Sequence, residues 1–141
     1  MINILAVKCM ILLTLLLFAS ISDIKTHEVS NIYSILVGVT ALIGISLEQL
    51  PGMFLGAAIL TIPMLGIALF EPGGIGGADI KLTTACAFLL GLQRGLVFIV
   101  LGLLLAVLCN LVFKKLLKDQ YKEPFALVPY LGVGCMVAYL I

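Results

Sequence analysis

Charged side chains are scarce in this sequence. Aspartate, glutamate, lysine and arginine together make up 11% of its 141 residues, whereas hydrophobic residues make up 63%. An ordinary soluble domain has about 25% charged residues. Because so few charges cannot cover a surface that faces water, the composition predicts a protein embedded in a lipid bilayer. The formal net charge of +1 provides no basic surface for nucleic acid.

Clustered metal ligands and redox motifs are lacking as well. His27 is the only histidine, and the cysteines form no C-x-x-C pair. They lie singly inside apolar runs, at Cys9, Cys86, Cys109 and Cys135. A zinc site needs clustered thiolates or imidazoles. We therefore expect no metal ion and no cofactor, and we interpret the cysteines as small apolar packing residues.

Apolar runs follow one another along the chain, separated by short polar clusters. We interpret six of them as transmembrane helices: Ile2–Ser22, Asn31–Leu47, Pro51–Phe70, Ile80–Gln93, Gly95–Phe113 and Pro124–Ile141. A helix needs roughly 17–25 residues to cross the hydrocarbon layer, and five runs meet this requirement. The fourth is short, since its apolar part rises only about 18 Å. The sequence thus predicts an all-α, polytopic protein with about six transmembrane helices, forming one integral-membrane domain over residues 1–141.

The first run also has features of a secretory signal peptide. Lys8 precedes its most apolar part, and small residues follow at positions 19–22. Five further apolar runs come after it, whereas a signal peptide usually precedes a soluble mature chain. We therefore favour an uncleaved first helix.

Positive charges concentrate on one predicted side of the membrane. The loops after helices one, three and five contain Lys25, Lys81, Lys114, Lys115, Lys118 and Lys122. The other side has Arg94, together with Lys8 inside the first run. Lysine and arginine are enriched in cytoplasmic loops. We therefore expect these three loops to lie in the cytoplasm and both termini to lie outside, in a plasma or inner membrane.

Two polar segments with acids lie at the predicted cytoplasmic helix ends. Residues 22–31 close the first helix and contain Asp23, and residues 73–82 precede the short fourth run and contain Asp79. Taken singly, Asp23 has an ordinary interpretation as a solvated loop acid and Asp79 as a helix cap. Acids at membrane depth are costly, however, and by default functional. Glycine-rich backbone at that depth is tolerated only where protein buries it or water reaches it.

Two carboxyl groups in a half-buried site that water can reach are suited to aspartic-protease chemistry. One carboxylate acts as a base on a water molecule, while the other, protonated, donates a hydrogen bond to the substrate carbonyl. Close like charges do not both ionise cheaply, so the pair shares a proton and titrates as a unit. This chemistry requires no metal or cofactor.

These two segments resemble the signature motifs of the type IV prepilin peptidases. The family's first motif reads approximately D-x-[KR]-x-x-x-[IV]-P-N, and the matching residues here are Asp23, Lys25, Val29 and Asn31. Its second motif reads approximately G-x-G-D-[VI]-K-L, and the matching residues are Gly76, Asp79, Ile80, Lys81 and Leu82. Two positions differ, because Ser30 replaces the usual proline and Ala78 replaces the second signature glycine. The resemblance, including the six-helix layout, extends over nearly the whole chain.

The resemblance implies a membrane aspartic endopeptidase in which Asp23 and Asp79 form the catalytic pair. The implied supporting residues are Gly76, Gly77 and Ala78 in the loop that presents Asp79, together with Lys25, Lys81 and Asn31. The implied substrate is a prepilin or pseudopilin, whose short basic leader is cut off at the cytoplasmic face just ahead of its hydrophobic helix. Larger family members carry an N-terminal extension with C-x-x-C pairs and a methyltransferase activity. This sequence lacks those pairs and so resembles the small, peptidase-only members.

The alanine in the second motif leads to a prediction about the backbone. We expect Ala78 to have ordinary backbone angles near the start of a helix, because alanine is the best helix former. Gly77 would then absorb the turn that precedes the helix.

Two other functions are compatible with paired acids in a small membrane protein. A proton- or cation-coupled transporter or channel subunit is one of them. Such proteins place their acids near the bilayer midplane on broken helices, whereas both acids here lie towards one face. A non-catalytic membrane protein of a pilus-assembly machine is the other alternative.

Overall fold

The computed structural model describes residues 3–73, 75–117 and 126–141. The described residues form helices and short connections, with no β-strand among them. The α-helices are α1 (Ile4–Thr26), α2 (Asn31–Leu42), α3 (Leu50–Phe70), α4 (Gly77–Leu117) and α5 (Val128–Leu140). A short 3₁₀ turn over Leu47–Gln49 leads into α3. The predicted all-α class is confirmed.

Helix α4 contains the fourth and fifth predicted runs, joined by a break at Gly91. The backbone angles there are φ 74° and ψ −175°, which are not helical and which an L-amino acid rarely adopts. Helix α3 packs tightly against the break, because a Cβ atom placed on Gly56 would lie 2.6 Å from the Gly91 carbonyl carbon. Glycine is therefore needed on both sides of this contact.

In the part of the chain that the structure describes, three helical segments are long and apolar enough to cross a membrane. They are Ile4–Thr26, Leu47–Phe70 and the interrupted Gly77–Leu117. Helices α2 and α5 have 12 and 13 residues, so each rises only about 20 Å or less. The expected number of about six spans is therefore not confirmed. Helix α2 ends five residues before its apolar run does, because Ile43 has extended backbone angles and Gly44 has a φ of +64°.

The core lies between α1, α4 and α5. Its largest fully buried side chains include Leu12, Phe98 and Leu131, one from each of these helices. Cys86 and Cys135 are also buried in this cluster, in agreement with their interpretation as packing residues. The outer surfaces of the helices carry exposed leucine, isoleucine, valine and phenylalanine side chains. This distribution suits a protein that is surrounded by lipid, where apolar surface faces outwards at no cost.

Candidate active site

Asp23 lies in the last turn of α1, and its side chain is only 6% exposed. The backbone N–H of Val128, the first residue of α5, donates a hydrogen bond to Asp23 Oδ2 over 3.2 Å. The first N–H groups of a helix have no intrahelical partner, and the helix dipole favours negative charge at that end. The Asp23 carboxylate therefore caps α5 and is oriented by it.

Asp79 is the third residue of α4 and is half-buried. Its carboxylate interacts with the backbone N–H of Gly76, which immediately precedes the helix. The Gly76 carbonyl oxygen in turn accepts from the N–H of Ile80 over 3.2 Å. An acid three residues after the cap residue, bonded back to the cap N–H, is one half of a capping box. Asp79 therefore has the capping role that its ordinary interpretation predicted, and this role also fixes its position.

The structure brings these two acids together. Asp23 comes from the end of α1 and Asp79 from the start of α4, and their carboxylates are close enough to repel each other electrostatically. Each is also held by a backbone N–H at a helix N-terminus. Two fixed carboxyl groups within electrostatic range of each other, one buried and one half-buried, do not both ionise easily, so their titrations are linked.

The other residues of the two motifs lie at the helix ends around the two acids. Lys81 Nζ donates a hydrogen bond to Asn31 Oδ1 over 3.1 Å, which joins the starts of α4 and α2. Lys25 is exposed at the end of α1. Ser30 caps α2, since its hydroxyl oxygen accepts from the N–H of Ile32 over 3.4 Å. Serine is a favourable residue at this position, which accounts for the departure from proline.

The connection between α1 and α2 is ordered by side-chain hydrogen bonds. The Ser22 hydroxyl donates to the carbonyl oxygen of Glu28 over 3.0 Å, and the Thr26 hydroxyl oxygen accepts from the N–H of Glu28 over 3.4 Å. His27 has a φ of 53°, and its N–H donates to the Asp23 carbonyl oxygen at the end of the helix. Val29 is buried in the core cluster. The first motif thus forms a tight turn that is held by hydrogen bonds at the end of α1 and by the buried Val29 side chain before α2.

The loop before Asp79 differs in part from its predicted geometry. Ala78 lies within α4 and has no positive φ, as expected. The expectation that Gly77 absorbs the turn is wrong, because α4 begins at Gly77 and, among the described residues of this loop, the positive φ is at Gly73 (+93°). A Cβ atom on Gly77 would meet nothing within 4 Å, whereas one on Gly76 would lie 3.1 Å from Asp79 Oδ2. Gly76 is therefore the glycine that Asp79 requires. Gly74 lies outside the described residues.

Two features near the acids were not predicted from the sequence. Val128 contributes through its backbone, so no side-chain pattern could have indicated it. Thr83, one helical turn after Asp79, has a buried hydroxyl with no hydrogen-bond partner among the described residues, and its i+4 spacing from Asp79 was the available signal. The described residues contain no group of three or more His, Cys, Asp or Glu side chains suited to a metal ion.

Together the fold and the site define an apolar helical membrane protein with a pair of acids where α1 ends and α4 begins. Residues 10–111 match the family model described as the type IV leader peptidase family. The match covers more than half of the 141 residues and includes both acid segments, so the chain belongs to this family and is a peptidase. The resemblance to the prepilin peptidases is thereby confirmed. No curated protein and no solved structure is significantly similar to the chain.

Proposed function

We propose that this protein is an aspartic endopeptidase that removes the leader from type IV prepilin or pseudopilin precursors, with Asp23 and Asp79 as its catalytic pair. The observation that carries the proposal is the electrostatic interaction between these two carboxyl groups, which come from separate motifs and separate helices. The family match supports peptidase activity over the transporter and channel alternatives.

The proposed reaction uses one ionised and one protonated carboxyl group. The carboxylate removes a proton from a water molecule, whose oxygen attacks the carbonyl carbon of the scissile peptide bond. The protonated carboxyl transfers its proton to the carbonyl oxygen, which gives a tetrahedral diol. One diol hydroxyl then loses its proton as the C–N bond breaks, and the leaving nitrogen accepts a proton from the pair. The products are a new carboxyl terminus and a new amino terminus, and the pair is restored.

The backbone contacts of the two acids suit this reaction. The Val128 N–H holds Asp23 and the Gly76 N–H interacts with Asp79. Groups that are fixed before the substrate binds need no reorganisation during the reaction, and this preorganisation lowers the barrier. Both contacts are made by backbone atoms at helix starts, so the helix packing determines the distance between the acids.

The proposed substrate follows from the family and from the expected orientation. The lysine-rich loops favour a cytoplasmic location for the acid pair, which is the side on which a prepilin leader is exposed. The bond that is cut lies just ahead of a hydrophobic helix, so a pair of acids at the ends of apolar helices suits its depth. The expected location is the plasma or inner membrane.

Co-expression with candidate prepilins tests the proposal. Cleavage of the leader gives a faster-migrating band on a gel, and mass spectrometry of the product identifies the cut site. We expect processing by the wild-type protein and none by Asp79→Asn at matched expression. Asp119→Asn, at a position outside the described residues, is the matched control and should process normally. Full processing by Asp79→Asn would contradict the proposal.

A further inference from the structure

Most helical hydroxyls among the described residues that form a hydrogen bond do so within their own helix, whereas the buried Thr83 hydroxyl has no partner there. Five of them donate to the carbonyl oxygen four residues earlier, at 2.6 to 2.8 Å: Thr14, Ser20, Thr26, Thr40 and Thr84. This local bond satisfies a hydroxyl inside apolar surroundings. The Thr83 hydroxyl oxygen is buried and has no hydrogen-bond partner among the described residues.

Burial alone does not explain the difference. Thr83 is 1% exposed and Thr40 is 3% exposed, yet the Thr40 hydroxyl donates to the Leu36 carbonyl oxygen over 2.8 Å. A buried hydroxyl without a partner destabilises the folded state, whereas valine has nearly the same shape and no polar group. A threonine whose hydroxyl points away from the local carbonyl is therefore expected to bind something else.

The position of Thr83 indicates which group a hydrogen-bond partner of its hydroxyl would contact. Thr83 follows Asp79 by four residues on α4, so the two side chains are neighbours on one face of the helix. Side chains on a helix lean towards its N-terminus, which directs the Thr83 side chain towards the turn that carries Asp79. Asp79 in turn lies within electrostatic range of Asp23. The unpaired hydroxyl thus belongs to the turn of α4 that follows Asp79.

We propose that Thr83 is a positioning residue of the acid pair and that its hydroxyl holds a water molecule against the Asp79 carboxyl group. This inference rests on the proposed aspartic peptidase function. A threonine hydroxyl has one donor and two acceptor sites, so it accepts one hydrogen of the water while the other points to the acid pair. A lone pair of the water oxygen then remains free for the substrate carbonyl carbon.

Three substitutions test this role in the full-length protein reconstituted in lipid nanodiscs. Thr83→Val removes the hydroxyl and keeps the shape, and Thr83→Ser keeps the hydroxyl. Thr40→Val is the matched control, because it removes a buried hydroxyl that is already bonded to its own helix. We expect Thr83→Val to lower kcat for prepilin cleavage about tenfold or more with little change in KM, because the attacking water loses its orientation. Thr83→Ser should retain most of the activity, and Thr40→Val should cleave normally.

Two kinetic results would overturn the proposal. Wild-type kcat in Thr83→Val, together with a higher melting temperature, would show that the hydroxyl is only an unpaired core group. An equal loss of kcat in Thr83→Val and Thr83→Ser would show that methyl packing matters and the hydroxyl does not.

A measurement without substrate separates this inference from the proposed function. When aspartate is labelled with ¹³C at its side-chain carboxyl carbon, the three aspartates of the chain give three NMR signals. The Asp→Asn variants at positions 23, 79 and 119 assign each signal to its residue. We expect the Asp79 signal to move in Thr83→Val and to stay in place in Thr40→Val. An Asp79 signal unchanged in Thr83→Val would overturn the inference even if prepilin is cleaved. If the wild-type protein cleaves no prepilin but the Asp79 signal moves, the proposed function fails and the link between Thr83 and Asp79 stands.

Discussion

Lys81 and Asn31 are joined by a hydrogen bond of 3.1 Å from the lysine Nζ to the asparagine Oδ1. The two residues belong to different sequence motifs and lie at the starts of α4 and α2. Lys81 is two positions after Asp79, so it projects from the opposite side of the helix. Its amine therefore contacts a neighbouring helix on a side of α4 away from Asp79. We expect this bond to align the start of α4, which presents the acid.

A double-mutant cycle on this bond tests the aligning role. Lys81→Met and Asn31→Ala should each lower prepilin cleavage a few-fold, because α4 is less well aligned while both acids remain in place. The double variant should be no worse than either single variant, since both remove the same interaction. The measurement is kcat/KM for the four proteins at matched expression. Fully additive losses would mean that the two side chains act independently.

The sequence was sufficient for the parts of the site that depend on local chemistry. Asp23 and Asp79 were identifiable as candidates because acids are costly in an apolar chain, and the ordinary backbone angles of Ala78 near the start of α4 followed from helix propensity. The turn at Gly73 was assigned to the wrong glycine, because four glycines in residues 73–77 offered equally permissive positions. The Val128 contact was beyond prediction, since it connects a backbone atom to a side chain 105 positions away. The expected number of about six membrane spans is not confirmed, because apolar runs do not mark where a helix ends and α2 stops at Leu42, five residues before its apolar run does.

Cysteine labelling tests the expected topology. The test concerns α2, because its 12 residues are few for a helix that crosses a membrane. In a variant lacking the four native cysteines, single cysteines replace Glu28 and Gln49, which are exposed near opposite ends of α2. If α2 crosses the membrane, an impermeant thiol reagent should label the Glu28→Cys protein only from the cytoplasm and the Gln49→Cys protein only from outside. Labelling of both proteins from one side would show that α2 does not cross.

Replacement of either carboxyl group in the acid pair should abolish cleavage. Asparagine has the shape of aspartate and retains a hydrogen-bond acceptor, so Asp23→Asn and Asp79→Asn should still insert and fold. The double variant should be no less active than either single variant, because groups that act as one unit are not additive. Prepilin processing is measured in membranes with equal amounts of each protein. A double variant far less active than both singles would indicate that the acids contribute separately.

Asp23 should also stabilise the fold through α5, and a second substitution separates this role from catalysis. Asp23→Leu leaves the buried N–H of Val128 without an acceptor, which costs about 1–3 kcal/mol. We therefore expect Asp23→Leu to lower the melting temperature in detergent, whereas Asp23→Asn stays close to wild type and is still inactive. Equal melting temperatures for the leucine and asparagine variants would show that the bond to α5 contributes nothing to stability.

The glycines before Asp79 provide a matched pair that tests the geometry of the loop. A Cβ atom on Gly76 would lie 3.1 Å from Asp79 Oδ2, a contact tight enough to displace the carboxylate by a few tenths of an ångström. Gly76→Ala should therefore lower kcat about tenfold, since small misplacements of a reacting group are costly. Gly77→Ala adds a methyl group that meets nothing within 4 Å at the first position of α4. Alanine is favoured over glycine in a helix, so this variant should cleave normally and melt at an equal or higher temperature. An inactive Gly77→Ala protein beside a fully active Gly76→Ala protein would mean that the turn into α4 is made at Gly77 after all.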